Sequence, residues 1–361
     1  MIDRLETFLE GEDRAGMREL QALVCEALGG REVTGRFVDQ ERLARTGVFR
    51  AQFEVEGRLR SLVVKQLPIH RSERERYVTR HWLGSVGLAP HAPPLIGIAV
   101  GRDGETAWHV YEDLGRHELA ATLVDRRAVG AAVEVIAQVH VRFALHPLLA
   151  EVRLVGCDLG VPFVEASLRD AFRNITHMLT IPTLTARARE VAMQLREKLE
   201  ILASEQSERS RRLALRGGPE TLLHGDLWPI NILMVPRADG FAVRLIDWER
   251  CGVGPVVYDL SAFLRQFPEH QRAEVLETYR RSVPAEWTIP EPSDFNEMCE
   301  TMELARFANS ITWRAMAVGR AQPGAPPSWA ITDLEEIVTW FETLRPMLPH
   351  GDASKAAGEK V

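Results

Sequence analysis

Hydrophobic and polar positions change period twice along the chain. Between residues 15 and 28, Leu20, Leu23, Val24, Ala27 and Leu28 recur at helical spacing, and Gly29-Gly30 supplies a stop. From Gly35 the pattern is that of strands. Gly35 to Val38, Val48 to Val55 and Leu59 to Leu67 read as an antiparallel meander, with Glu56-Gly57 turning the second strand into the third. A charged stretch from Arg71 ends in His81-Trp82-Leu83 before Gly84 and predicts a helix. Pro94 to Val100 and Thr106 to Tyr111 are two further strands around the hairpin turn Gly101-Arg102-Asp103-Gly104. The period then turns helical. Val129, Val133, Ile136 and Phe143 mark a helix over residues 126 to 145, and His140, on that stripe, reads as a core histidine. More helices are predicted over residues 163 to 215, broken at Ile181-Pro182, and others up to about Leu348, separated by Pro284 to Pro292 and Gln322 to Pro327. Residues 350 to 361 are small and polar, and a disordered tail is expected there.

One stretch interrupts the helical half. Leu222-Leu223-His224-Gly225-Asp226-Leu227-Trp228-Pro229-Ile230-Asn231-Ile232-Leu233-Met234 is followed by Val243-Arg244-Leu245-Ile246-Asp247-Trp248-Glu249. In each piece a short apolar strand delivers an acid into a tight turn. Two hairpin-like pieces side by side would present Asp226, Asn231 and Asp247 at one edge. Two carboxylates and an amide oxygen are hard ligands, suited to Mg²⁺ rather than to zinc or copper. His-Gly-Asp-x4-Asn followed by Ile-Asp has the form of the catalytic-loop and metal-loop pair of a kinase-type phosphoryl-transfer enzyme.

Other candidates are read against that pair. Lys65, near the end of an apolar strand, is either a solvated edge lysine or the lysine that grips the α- and β-phosphates of ATP. Glu73 or Glu75 could hold it; Glu75 is preferred, about two turns before Trp82-Leu83, which would anchor the helix in the core. Tyr111-Glu112-Asp113-Leu114 falls where a kinase-like layout has its hinge, with backbone at Glu112 and Leu114 available to the adenine. Gly252-Val253-Gly254-Pro255 does not make a dinucleotide fingerprint, since the third glycine is missing and Pro255 intrudes. It reads as a tight connection, with Asp259 capping a helix from Leu260 to Phe267.

Composition removes several function classes. The 361 residues, 45% hydrophobic and 26% charged, are ordinary for a globular chain of one large or two modest domains. A net charge of -7 argues against a general nucleic-acid binder. Arg209, Arg211, Arg212 and Arg216 are interleaved with glutamates and read as a solvated helix face. Cys25, Cys157, Cys251 and Cys299 form no C-x-x-C pair, so a reducing cytosol and a cytoplasmic location are expected. No signal peptide is recognised, and no uncharged apolar run approaches the roughly 20 residues of a membrane span. Glu291, Asp294, Glu297, Glu300 and Glu303 read either as an ordinary acidic helix face or as a wall attractive to a cationic acceptor. There is no Walker A sequence, no G-x-S-x-G elbow and no H-E-x-x-H.

These residues together resemble the aminoglycoside phosphotransferase and choline kinase family of small-molecule kinases. The matching pieces are Val63-Val64-Lys65, the helix with Glu75, Val110 to Leu114, His224 to Asn231, Ile246 to Glu249, Gly254-Pro255 and Tyr258-Asp259-Leu260, in the family's order over roughly residues 33 to 267. The resemblance implies an α+β, bilobal protein-kinase-like fold. A small N-terminal lobe with an antiparallel sheet and one helix would take residues 1 to 112, and a larger, mainly helical lobe residues 113 to 349. It implies Asp226 as catalytic base, Asn231 and Asp247 as Mg²⁺ ligands, Lys65 as the phosphate-gripping lysine and Glu75 as its partner. Thr46 and Gly47, in the loop from Ala44 to Phe49, would contact ATP. The implied partners are ATP, Mg²⁺ and a small hydroxylated acceptor (aminoglycoside-like, amino alcohol or sugar), with no nucleic acid and no membrane. Ile230 stands where the family often has Gly, which requires a backbone outside the positive-φ region. A catalytically silent nucleotide-binding module would show loss of Lys65, Asp226, Asn231 or Asp247, and none is lost. A protein kinase is disfavoured by Trp248-Glu249 in place of Phe-Gly and by the lack of an activation segment before Asp259.

Overall fold

The computed structural model describes residues 2, 3, 5, 8, 9, 15–30, 34–44, 47–287, 290–321 and 327–349. In chain order the elements are β1 (Ile2–Asp3), α1 (Met17–Ala27), β2 (Gly35–Ala44), β3 (Val48–Val55), β4 (Arg58–Pro68), α2 (Ile69–Tyr77), α3 (Leu83–Ser85), β5 (Leu95–Val100), β6 (Thr106–Glu112), α4 (Arg126–Phe143) and α5 (Leu149–Val155). They continue with β7 (Cys157–Asp158), α6 (Val161–Leu179), α7 (Ala186–Arg216), β8 (Glu220–Leu223), β9 (Ile232–Arg237), β10 (Gly240–Leu245), β11 (Gly252–Pro255), α8 (Val257–Leu264), α9 (Glu269–Ser282), α10 (Pro292–Gly319) and α11 (Ser328–Thr343). A π-helical turn over Val78–Trp82 joins α2 to α3. The chain divides into two compact units, each assembled from three separate segments. The first takes Met1–Arg142, Ala150–Gly156 and Trp228–Cys251; the second takes Phe143–Leu149, Cys157–Leu227 and Gly252–Val361.

The first unit is built on a sheet of order β1-β2-β3-β4-β6-β5, antiparallel except for the β1–β2 pair. The β3–β4 turn places Glu56 at φ 50 and Gly57 at φ 72, the left-handed pair that a tight two-residue hairpin needs. One face packs against α1 through Leu20 and Val24, with Phe8, Phe53 and Trp108 fully buried beside them. Phe8, Phe37 and Phe53 meet ring to ring at 5.5 to 5.9 Å, the tilted and edge-on contacts that aromatic quadrupoles favour. Pairing of Lys65 with His109 and of Val63 with Tyr111 puts these four side chains on the same face, because strand side chains alternate. The stripe that α2 and the π turn bury is Ser72, Glu75, Val78 and Trp82. Its apolar end gives anchorage and its polar end sits over Lys65, His109 and Tyr111, as the hydrogen bonds described below show. The hairpin of β9 and β10 completes this unit, with Met234 N–H donating to the His117 carbonyl at 2.7 Å.

The second unit is mainly helical. α6 packs on α7 and on α10, which also carries α8 and α11. The buried stripe of α6 (Val164, Leu168, Ala171, Ile175 and Met178) follows the helical period. A small sheet of order β7-β11-β8 lies in this unit. The expected return hairpin after Leu223 does not form. β8 pairs antiparallel with β11, Leu222 opposite Val253, while β9 takes β10 as its partner. Pro229 and the turn Pro229–Asn231 intervene after β8, and a proline lacks the N–H that a tight ladder would require.

The α7 face, which read as solvated, and the acidic α10 face, which read either as an ordinary helix face or as a cation-attracting wall, meet each other. Arg209 bonds Glu300 at 2.8 Å, and Arg212 and Arg216 bond Glu297 and Asp294. Arg265 takes the buried Glu303 at 2.9 Å. Four of the five acids read from the sequence as a candidate cation-attracting wall are therefore engaged by arginines.

Backbone crowding in the small sheet can be tested. A Cβ on Gly252 would lie 2.3 Å from the Cys157 carbonyl oxygen. Gly252→Ala is expected to lower unfolding free energy by roughly 2 kcal/mol through overpacking. Gly130→Ala, on α4 with open space around its Cβ, is expected to leave stability equal or raise it by up to about 1 kcal/mol. Denaturant midpoints of the two variants check the pair.

Candidate active site

A cavity of about 490 Å³ in the first unit has walls from β2, β3 and β4, from the segment after β6, and from the turns that carry Asn231 and Asp247. Lys65 is 8% exposed at its wall. Its Nζ donates to Glu75 Oε2 at 2.8 Å and to Asp247 Oδ1 at 2.5 Å, and Glu249 Oε2 stands at 3.8 Å. Burial alone would push the ammonium toward neutrality; Glu75, Asp247 and Glu249 outweigh it and hold the pKa above the ordinary lysine value. Glu75 is buried to 1%, and that burial raises its pKa against the opposing pull of Lys65. Of the two glutamates weighed as partner to Lys65, the contact is made by Glu75.

Glu249 was not singled out from the sequence as a site residue. Its carboxylate also receives Arg71 Nη1 at 2.8 Å, and Arg74 Nη1 reaches its carbonyl at 3.4 Å. The segment after Asp247 is thereby fastened to α2. Asp247 itself has φ 66 and ψ 55, a left-handed conformation that non-glycine residues rarely adopt and that clusters at functional sites. Ile246 N–H donates to the Asn231 carbonyl at 2.9 Å, tying the Asn231 turn to the Asp247 turn. Ile230 is not among the positive-φ residues, so a β-branched side chain meets no backbone strain there. Asn231 and Asp247 both line the cavity, and the oxygen donors of their side chains are of the kind that suits a hard divalent cation such as Mg²⁺.

Glu112 and Leu114 line the same cavity. Their segment is fixed by Asp113, which accepts from Arg50 Nε at 2.6 Å, Arg50 Nη2 at 3.0 Å, Ser61 Oγ at 2.6 Å and Gly115 N at 2.9 Å. Burial would raise the Asp113 carboxyl; these donors outweigh it and bring the pKa below the ordinary aspartate value. At the β2–β3 turn, Gly47 has φ 79 and its carbonyl accepts from Gln66 N at 3.0 Å, with Ala44 and Val48 on either side lining the cavity. Thr46 lies outside the described residues.

The side chains of β6, which the sequence left without a role, form a buried polar chain. Tyr111 Oη donates to Glu75 Oε1 at 2.7 Å; His109 Nδ1 is 2.9 Å from Tyr111 Oη; Ser72 Oγ is 2.7 Å from His109 Nε2. His109 is fully buried, and desolvation, followed by the Lys65 charge, pushes its pKa down to about 3, so the ring is neutral near pH 7. The alternation His109-Val110-Tyr111 opposite Lys65 was the available signal for it.

Asp226 belongs to the second unit and follows β8 in a tight loop, half-buried. Gly225 has φ 81, a conformation open to glycine at little cost. The loop is held by Asp259, whose carboxylate accepts from His224 N at 2.7 Å and from Gly225 N at 3.0 Å. Asp259 was expected to cap a helix starting at Leu260. Instead α8 begins at Val257, so Asp259 lies within its first turn, 1% exposed, and its side chain bonds the loop. His140 is buried on α4.

Comparison with known proteins bears on the family and the fold. Residues 40–289 match the sequence model of the phosphotransferase enzyme family. A search of curated proteins gives no significant match. Among solved structures, an ethanolamine kinase from Plasmodium vivax is 12% identical over 92% of this chain and 85% of its own, with a TM-score of 0.56. A spectinomycin phosphotransferase in complex with ADP and spectinomycin is 14% identical over 86% of this chain and 93% of its own, TM-score 0.55. An aminoglycoside phosphotransferase from Streptomyces rimosus, in complex with ADP and streptomycin, is 17% identical over 81% and 99%, TM-score 0.51. At these identities the likeness is one of fold, the α+β protein-kinase-like fold. No helix among the described residues is long and apolar enough to cross a membrane. With more than half its length covered by the family match, the chain belongs to the phosphotransferase enzyme family.

Proposed function

We propose that this protein is a kinase that transfers the γ-phosphoryl group of ATP to a hydroxyl of a small molecule. The observation that carries the reading is Lys65, buried at the wall of the cavity between Glu75 and Asp247. A cation held there against the cost of burial is ready to meet the phosphates of a nucleotide. The adenine would lie against the backbone of Glu112 and Leu114, under the β2–β3 turn at Gly47, and Thr46, its neighbour in sequence, is assigned to ATP as well. Asn231 and Asp247 would hold Mg²⁺, which when bound offsets the charge of the phosphate oxygens. Asp247 must then yield its contact with Lys65, and Glu75 remains to hold the lysine in place.

Asp226 is assigned the acceptor hydroxyl, by its place in His-Gly-Asp-x4-Asn. It would orient the hydroxyl and take its proton, with most of the rate coming from positioning and electrostatics. The acceptor is a hydroxylated small molecule, in the class of aminoglycosides, amino alcohols or sugars. A field from the acidic face of α10 does not select it, since arginines of α7 and Arg265, just after α8, neutralise most of that face.

ATP with Mg²⁺ is expected to raise the unfolding temperature of the wild-type protein. A coupled ADP-release assay over a panel of hydroxylated metabolites and antibiotics is expected to identify the acceptor. Asp226→Asn should then reduce kcat by about 10²- to 10⁴-fold while keeping the ATP-induced thermal shift. No shift with any nucleoside triphosphate would sink the kinase reading. A shift without transfer to any acceptor would favour a silent binding module.

Asp259→Ala should behave differently. It leaves two buried N–H groups unpaired, and is expected to cost roughly 3 kcal/mol of stability along with activity. Denaturant unfolding of the two variants side by side separates the roles.

A further inference from the structure

Tyr111 Oη, His109 and Ser72 follow Glu75 in an unbroken buried series, all on one face of the first unit's sheet and the α2 stripe above it. The donors and acceptors allow one consistent direction. Glu75, in contact with the Lys65 ammonium, accepts at both oxygens: Oε2 from Lys65 and Oε1 from Tyr111. The single Tyr111 proton is spent on Glu75, so the phenolic oxygen can only accept from His109, which puts the imidazole proton on Nδ1. A neutral ring with Nδ1–H has a bare Nε2, which accepts the Ser72 hydroxyl.

We propose that Ser72, His109 and Tyr111 are positioning residues: a one-way hydrogen-bond relay that fixes the Glu75 carboxylate, and through it Lys65, for nucleotide binding. The role rests on the kinase reading given above. Lys65 has three carboxylates around it. Asp247 is shared with the proposed metal and Glu249 is engaged by Arg71. Glu75, bonded directly to the ammonium at Oε2, has its second oxygen held from behind by Tyr111, so the lysine keeps a fixed partner whatever Asp247 does. Without the Tyr111 hydroxyl, one buried oxygen of Glu75 loses its donor. The carboxylate is then free to turn and share Lys65 between both oxygens, drawing the ammonium away from the cavity.

The test begins with wild-type protein free of nucleotide. Long-range proton–nitrogen correlation spectra, with His109→Phe used to assign the ring, are expected to show His109 neutral with the proton on Nδ1. A proton on Nε2 overturns the relay, and this readout is independent of any activity. The second arm measures Mg²⁺-ATP affinity by calorimetry, with unfolding temperature recorded for each variant. Tyr111→Phe, near-isosteric, is expected to weaken binding about tenfold with little change in unfolding temperature. His109→Phe should weaken it in the same direction, and His109→Asn, whose amide nitrogen can overlie Nδ1, should recover most of the loss. Because His109 acts through Tyr111, the double variant should bind no worse than Tyr111→Phe alone. Additive losses, or unchanged affinity in Tyr111→Phe, overturn the proposal. Should Tyr111→Phe fail to fold, the wild-type nitrogen resonances and the His109 pair decide. Absence of ATP binding by the wild type refutes the kinase reading instead, whatever the tautomer of His109.

Discussion

The ammonium of Lys65 is the constraint on which the first unit turns. Taking a charge out of water costs several kcal/mol unless other charges compensate it. Here compensation comes from α2 (Glu75) and from the segment after β10 (Asp247 and Glu249). The lysine thus makes sequence-distant pieces answer to one point. The buried stripe of α2 can be polar at one end because Lys65, Tyr111 and His109 satisfy it. The π turn over Val78–Trp82 and the buried Trp82 then return the helix to apolar packing.

Other parts of the two units follow the same economy, with polar groups placed where a partner spans a break in the chain. Asp113 ties the segment after β6 to β3 and β4 through Arg50 and Ser61. Asp259 reaches from α8 to the backbone of the loop before Asp226. Each is an acid whose oxygens meet donors that secondary structure leaves unpaired. Loops held in this way keep irregular conformations, such as φ 81 at Gly225 and φ 66 at Asp247, without losing order.

Local patterns made much of this legible. Strand alternation gave β3, β4 and β6 nearly to the residue, and the break at Ile181-Pro182 falls between α6 and α7. His-Gly-Asp-x4-Asn, Ile-Asp and Lys65 stood out because each puts a charged or amide side chain at the end of an apolar run. What was missed depends on partners far away in sequence. β8 met β11 rather than β9, a choice that the strand's own residues do not encode. Asp259 followed by an apolar helical run looks like a cap, and its partners lie 34 and 35 residues upstream. The arginines of α7 looked solvated, and the acids of α10 looked like an ordinary face or a cation-attracting wall, because a helix face has the same spacing whether it meets water or a complementary helix. Ser72, His109 and Tyr111 are unremarkable singly and form a chain only when α2 lies over β6.

The three-segment make-up of the first unit bears on how the chain reaches its native state. Residues up to Arg142 supply the sheet, α2 and the Lys65–Glu75 pair, whereas Asp247 and the β9–β10 hairpin arrive with Trp228–Cys251. At roughly 5–20 residues per second of synthesis, the nascent sheet waits seconds for them while most of the intervening second-unit segment is made. During that wait Lys65 has Glu75 but neither Asp247 nor Glu249, and the side of the cavity formed by Leu233 and Ile246 is missing. Closing so long a loop is entropically costly and slow. The first unit is therefore a poor candidate for expression as an N-terminal fragment ending at Arg142, which would lack the cavity side formed by Leu233, Ile246 and Asp247.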